Sequence, residues 1–280
     1  MTLQRKFMIG SEWLYYKIYS GPRTVENILV EIYPKIKKLI DESLIDSFFY
    51  IRYQDPDYHL RVRLHLVRTD KTGEVCRVMY HCLNGYVEHF IVHKIELDIY
   101  NREIERYGQR NMQNCEHMFY MDSDFILWYL MKTKCGNDER WLVAVGYIYN
   151  MTDEAGYSLA DKIRFTKKMA DEYYTEMYGR DNEPAKKLNK LYRDKRAVIT
   201  SVFWGCGQYS WWTKQKKYIK LGILTFQGTI NEEVLASMIH MHVNRLFRTK
   251  QRLVEMVLYY YLHKFLESEN GRIKYSLKNK

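Results

Sequence analysis

The hydrophobic period of the chain switches repeatedly between two residues and about 3.6 over its first hundred positions, and it stays helical afterwards. EWLYYKIY (Glu12 to Tyr19) alternates and is aromatic and β-branched, so it predicts a strand. The following GPRTVENILVEIYPKIKKLIDE brings Val25, Ile28, Leu29, Ile32, Ile36 and Ile40 onto one helical stripe, with Thr24 as the expected N-cap and Pro34 as an expected kink. FFYIRYQ (Phe48 to Gln54) predicts a second strand. The turn residues DPDY then lead into a third strand, Tyr58 to Val67, so that the two form a hairpin. A helix from Gly73 to Val92 and a fourth strand from Lys94 to Tyr100 complete the order β-α-β-β-α-β, the ferredoxin-like supersecondary order.

Beyond Tyr107 the pattern is nearly all helical: Met112 to Thr133, Glu139 to Asn150, Leu159 to Tyr178, Glu183 to Tyr218 with a break, Asn231 to Phe247 and Arg252 to Glu267. Four prolines and no low-complexity stretch leave no flexible linker. The expected architecture is α+β and a single domain: a ferredoxin-like sheet layer over residues 1–107 packed against a mostly helical part over residues 108–280.

The third strand, YHLRVRLHL, carries the first chemical signal. Leu60, Val62, Leu64 and Leu66 fall on one face; His59, Arg61, Arg63 and His65 fall on the other. In the predicted sheet this strand is central and both crossover helices lie on one side, where its leucines belong. The cationic row therefore looks the other way, and Tyr15, Lys17, Tyr50 and Arg52 are expected to share its face. A solvated polar face is the plain reading of such a row. The helical part, however, needs a platform to bury against, and arginines caught between two layers are costly without an anion or carboxylate.

Charge and composition narrow the setting. A net charge of +10 and a pI near 9.1 favour anionic partners without choosing among them. Five cysteines without a Cys-x-x-Cys pair read as reduced, buried thiols of a cytoplasmic protein and argue against structural zinc. The N-terminus lacks an apolar signal core, and no apolar run is long enough to span a bilayer.

Two further constellations carry candidate chemistry. In YNREIERYGQ, Glu103 and Arg106 stand three residues apart on one side of a helical turn; a surface ion pair is the plain reading. In ASMIHMHVNRLF, Leu235, Ile239, His242 and Leu246 make one stripe and Ser237, His240, Asn244 and Arg248 another, so His240 sits on a polar face. A lone helical histidine is more often structural than catalytic. No Gly-rich phosphate loop, HExxH or Gly-x-Ser-x-Gly occurs. YHLRVRLHL also lacks the stacking aromatics of an RNA-recognition strand, which argues against direct nucleic-acid binding.

Taken in order, WLYYKIY, FFYIRYQDPDYHLRVRL, NREIERYG and SMIHMHVNRL resemble the C-terminal elimination domain of class I lantibiotic dehydratases, also found alone as thiopeptide-type bacteriocin biosynthesis proteins. The resemblance spans nearly the whole chain. It implies a β-elimination: a separate tRNA-dependent glutamylating dehydratase esterifies Ser or Thr of a precursor peptide with glutamate, and the elimination domain expels glutamate to leave dehydroalanine or dehydrobutyrine. Its essential residues carry over onto Arg61, Arg63, Glu103, Arg106 and His240, and it needs neither metal nor organic cofactor. One departure is Gln109 after Gly108, where the family commonly has a second glycine. A homodimer stays open.

This chemistry suits those residue types. Removing a weakly acidic Cα proton builds enolate-like charge, which one well-placed donor stabilises by about 3 kcal/mol. The departing glutamate is a carboxylate that arginine's planar fork grips at two points. The expected roles place Arg63 and Arg106 on the glutamyl group, Arg61 in support or facing the enolate, Glu103 orienting an arginine, and His240 transferring a proton. Two rivals remain: a pyridine-forming cycloaddition on the same scaffold, and a non-catalytic peptide- or RNA-binding protein whose cationic face only docks an acidic partner.

Overall fold

The computed structural model describes residues 3–136, 139–205, 209–226 and 228–279. The chain is α+β and divides into two compact units, Met1–Gly136 with Leu224–Gly228, and Asn137–Ile223 with Thr229–Lys280.

The first unit is built on a four-stranded antiparallel sheet formed by β2 (Trp13–Tyr19), β3 (Ile45–Gln54), β4 (Tyr58–Leu66) and β5 (Lys94–Leu97), in spatial order β3-β4-β2-β5. Helix α1 (Pro22–Asp41) connects β2 to β3, and α2 (Thr72–Glu88) connects β4 to β5. The predicted fourth strand is interrupted at Asp98, whose carboxylate accepts from the Ile99 N–H. The chain then re-pairs as β6 (Tyr100–Asn101) with an unforeseen β1 (Lys6–Phe7). Helix α1 opens on Pro22, with Gly21 as N-cap in place of Thr24. A proline at that position gives up an N–H that would have no helical partner anyway. The helix continues through Pro34.

Register settles which side chains share a face. The Asp55–Asp57 turn sets Gln54 opposite Tyr58, so odd-numbered residues of β3 meet odd-numbered residues of β4: Phe49 with Arg63, Ile51 with Arg61, Tyr53 with His59. Tyr15 and Lys17 of β2 oppose Arg63 and Arg61 and lie on that face. Tyr50 and Arg52 do not, contrary to expectation; they oppose Val62 and Leu60 and point toward α1. Arg52 is instead buried in an ion pair with Glu26 of α1 at 2.9 Å, both side chains fully inaccessible. On the β3 edge, Ser123 Oγ of helix α4 (Met112–Lys132) accepts from the Tyr50 N–H, satisfying a donor that a sheet edge leaves open.

The buried pair makes a sharp stability test. Arg52→Met strands a buried carboxylate and should cost ~3–5 kcal/mol in denaturant unfolding, whereas Arg52→Met with Glu26→Leu should recover most of it. Equal losses in the single and double variants would deny that the pair is the cause.

The second unit is helical: α5 (Arg140–Glu154), α6 (Leu159–Tyr178), α7 (Glu183–Trp204), α8 (Ser210–Ile223), α9 (Glu232–Leu246) and α10 (Gln251–Lys278). The predicted break after Glu183 falls between Trp204 and Ser210, and Cys206 lies outside the described residues. Ser158 and Asp161 form a reciprocal capping box on α6, and the Asn231 side chain caps α9 through the Val234 N–H at 2.8 Å. Gly146 lets α5 approach α8 closely, since an added Cβ would meet Trp211 at 3.0 Å. Helix α9 packs on α5 and α10, and α10 on α6.

Candidate functional site

In the first unit the cationic row of β4 lies on an aromatic floor. Arg63 is only 8% exposed. Its guanidinium carbon stands 4.4 Å from the Tyr15 ring centre, 5.1 Å from Phe49 and 4.8 Å from Tyr100. Each such face contributes roughly 0.5–2 kcal/mol of attraction to a cation. Yet Arg63 has no carboxylate partner among the described residues, and its Nε lacks a hydrogen bond. Burial pushes the guanidinium below its ordinary value, and its Coulombic neighbours include Tyr15, Tyr100, Arg61 and Glu103. It remains charged, because arginine does not give up its proton in proteins.

The other buried arginines of this unit emphasise the contrast. Arg52 has Glu26. Arg102 forks onto Glu116 at 2.7 and 2.6 Å and donates to the Gln4 carbonyl, and the Tyr100 hydroxyl donates to the same carboxylate at 2.7 Å. Glu116 thus holds Tyr100, one wall of the Arg63 box, in place. Neither the box nor its brace was anticipated. Tyr100 lies far from Arg63 in sequence, and only the break at Asp98 brings it beneath the guanidinium.

Arg61 lies beside this box, stacked over Tyr53 at 3.5 Å, with its Nε donating to His59 Nε2 at 3.0 Å. The Asp57 carbonyl can only accept, so the His59 Nδ1 it contacts at 2.9 Å carries the proton, and Nε2 is free to receive Arg61. Lys17 on the neighbouring strand pairs with Asp98. Burial alone would lower the Lys17 ammonium, but the bond and charge of Asp98 outweigh it and raise it.

Burial, aided by the charges of Arg61 and Lys17, holds the His59 imidazole below its ordinary value. A histidine kept neutral in the fold binds protons less readily than in the unfolded chain. Its stabilising effect is therefore complete above the unfolded value of about 6.5 and is lost as pH falls from there through the folded value. Unfolding midpoints taken between pH 7.5 and 5 should fall more steeply for the wild type than for His59→Gln. Parallel slopes would contradict the assignment.

Glu103 caps the short helix α3 (Ile104–Tyr107) and Arg106 lies within it, both exposed and paired at 3.5 Å. Gly108 follows at φ +77°, a conformation that favours glycine, while Gln109 needs no positive φ. Arg63 feels the charges of Arg61 and Glu103, and Arg106 pairs with Glu103. A cleft of about 960 Å³ is lined by His65, Arg102 and the Gly108–Asn111 segment, but by none of these four.

His240 belongs to the second unit. The stripes of α9 fall as the period requires: Leu235, Ile239, His242 and Leu246 are buried, and His240 is partly exposed. His242 stacks flat on Tyr147, ring centres 3.7 Å apart. His240 Nδ1 contacts Glu255 Oε2 of α10 at 2.9 Å. Glu255 was read only as part of a helix; it stands fifteen residues beyond His240, across a loop, and outside any local motif. Among the described residues no cluster of His, Cys, Asp or Glu could hold a metal ion, and no helix is long and apolar enough to cross a membrane. The four described cysteines, Cys76, Cys82, Cys115 and Cys135, are free.

Residues 13–266 match the family described as lantibiotic biosynthesis dehydratase C-terminal. The chain is 24% identical to the nisin biosynthesis protein NisB of Lactococcus lactis subsp. lactis over 95% of its length, and 23% identical to the subtilin biosynthesis protein SpaB of Bacillus subtilis over 88%. It spans about a quarter of each relative, 26% and 25%. Among solved structures, the tRNA-dependent lantibiotic dehydratase MibB from Microbispora sp. 107891 superposes with a TM-score of 0.64 at 20% identity, over 97% of this chain and 29% of that one. TsrL gives 0.64 at 13% identity, and TbtD, a pyridine synthase from thiomuracin biosynthesis, 0.61 at 12%. The match covers 93% of this chain and 95% of TsrL, and 90% of this chain and 98% of TbtD.

Proposed function

The chain belongs to the lantibiotic biosynthesis dehydratase C-terminal family, and from that membership we propose that it eliminates glutamate from glutamylated Ser or Thr of a ribosomally made precursor peptide. The observation that carries this reading is Arg63: a buried guanidinium, boxed by three aromatic rings, that lacks a carboxylate among the described residues. A fold tolerates such a cation when something else supplies the anion. A glutamyl ester brings one to every modified side chain.

In this proposal Arg63 and Arg106 hold the glutamyl group, Arg61 supports them or faces the enolate, and Glu103 orients Arg106. The Cα proton leaves, its electron pair becomes the Cα–Cβ double bond, the Cβ–O bond breaks, and glutamate departs as a carboxylate. His240 moves the proton, taking it from Cα or delivering it to the leaving group. We read the β2-α1-β3-β4-α2-β5 segment as a ferredoxin-like scaffold for the arginines. We place a tRNA-dependent glutamylating protein upstream in the same cytoplasm as the supplier of substrate.

A second reading, pyridine-forming cycloaddition, draws support from the match to nearly the full lengths of TsrL and the pyridine synthase TbtD. The higher identity to NisB and SpaB favours elimination. A cycloaddition also has no glutamate to occupy Arg63. Mass spectrometry of a glutamylated precursor before and after adding the protein tests the proposal. Replacement of each glutamate adduct by the loss of one water is expected. Adducts that persist on bound peptide would overturn it, and conversion of already dehydrated peptide to a ring would establish the second reading.

A further inference from the structure

We propose that Glu255 is a positioning residue for His240, fixing the tautomer and the orientation of the ring that moves the proton. This inference rests on the proton-transfer role proposed above for His240.

A carboxylate can only accept, so the 2.9 Å contact places the proton on His240 Nδ1 and leaves Nε2 with the free lone pair. The donor ring is 26% exposed while the carboxyl group is fully inaccessible. Oε1 of Glu255 lacks a hydrogen bond, and His240 is the one basic side chain paired with Glu255 among the described residues. The arrangement therefore leaves one imidazole nitrogen available and holds the ring from behind. Carboxylates brace histidines in this way in hydrolytic triads, where losing the carboxylate leaves the ring present but in the wrong tautomer.

From α6, Tyr173 faces the carboxylate; burial, then the charge of Glu255, pushes its hydroxyl up and keeps it neutral. Tyr259 on α10 is raised by the same causes. Arg252, also on α10, is engaged by Glu176 at 3.0 Å. From α5, Tyr147 stacks on His242 and Arg140 donates to the Leu246 carbonyl. On α9 itself Arg245 is buried, and Arg248, just past the helix end, is half-buried.

The test compares wild type, Glu255→Gln and His240→Ala, with preformed glutamylated peptide across a pH series and with an NMR titration of the imidazole. Glu255→Gln should lower kcat by roughly 10²-fold with KM little changed. The imidazole limb of the pH–kcat profile and the NMR midpoint should both move to lower pH. That sign holds whichever way the proton travels, because losing the neighbouring negative charge always makes the ring a weaker base. Glu255→Asp, which keeps the charge, should restore the midpoint.

A folded Glu255→Gln protein with wild-type kcat and an unmoved midpoint overturns the proposal. If the Gln variant does not fold, the Asp variant decides: wild-type kcat with the carboxylate withdrawn by one methylene overturns the positioning role. If wild type does not eliminate, or His240→Ala eliminates normally, the proposed function fails. The NMR titration still reads the Glu255–His240 coupling independently.

Discussion

Arg63→Met should abolish most of the proposed elimination activity and make the protein more stable at the same time. The activity loss is expected at about 10²–10³-fold in kcat/KM, the scale on which removing one preorganised electrostatic donor acts. The opposite sign for stability follows from what Arg63 lacks. A buried cation without a carboxylate suffers desolvation that three aromatic faces only partly offset, and methionine fills a similar space without a charge. A gain of about 1–2 kcal/mol is expected, which raises the thermal midpoint by ~3–6 °C. Arg102→Met is the control: it leaves the buried Glu116 carboxylate without its cation and should destabilise. Parallel measurements of melting and single-turnover elimination decide the matter. If Arg63→Met melts lower, as Arg102→Met should, Arg63 is a structural residue and the case for a vacant carboxylate site collapses.

That pair of opposite outcomes also marks where sequence reading stops. The alternation of YHLRVRLHL was enough to put Arg61 and Arg63 on one face and the leucines on the other, because a strand's period is fixed by backbone geometry. The same reasoning misplaced Arg52 and Tyr50. Alternation within one strand gives two faces but not which face of the neighbouring strand it shares; the turn between them decides that, through whether odd meets odd or even. A row of arginines read as equivalent therefore separates into one with a buried carboxylate partner and two without a carboxylate among the described residues. The helical stripes of α9 were legible for the same reason as the strand faces, since both are local. Tyr100 under Arg63, Glu116 behind Tyr100 and Glu255 behind His240 were not, because each is a contact between elements whose meeting depends on tertiary packing.

His240→Ala separates catalysis from docking, and its expected effect is as large. General acid–base assistance supplies roughly 10²–10⁴-fold, so turnover of glutamylated peptide should fall by that factor while binding persists. Binding should persist because the proposed carboxylate contacts come from Arg61, Arg63 and Arg106, while the proposed role of His240 is proton transfer alone. A protein that only docks acidic peptides predicts the reverse: no loss at His240, and weaker, salt-sensitive binding when Arg61 or Arg63 is removed. Peptide affinity and single-turnover rate measured on one preparation of His240→Ala distinguish the two. The side chain's removal is also a structural perturbation, because it leaves the Glu255 carboxylate buried without its partner. Pairing His240→Ala with Glu255→Gln relieves that burden: the double variant should recover stability relative to His240→Ala and recover no activity. Stability and turnover that move together would tie His240 to the fold; stability restored without turnover ties it to the proton.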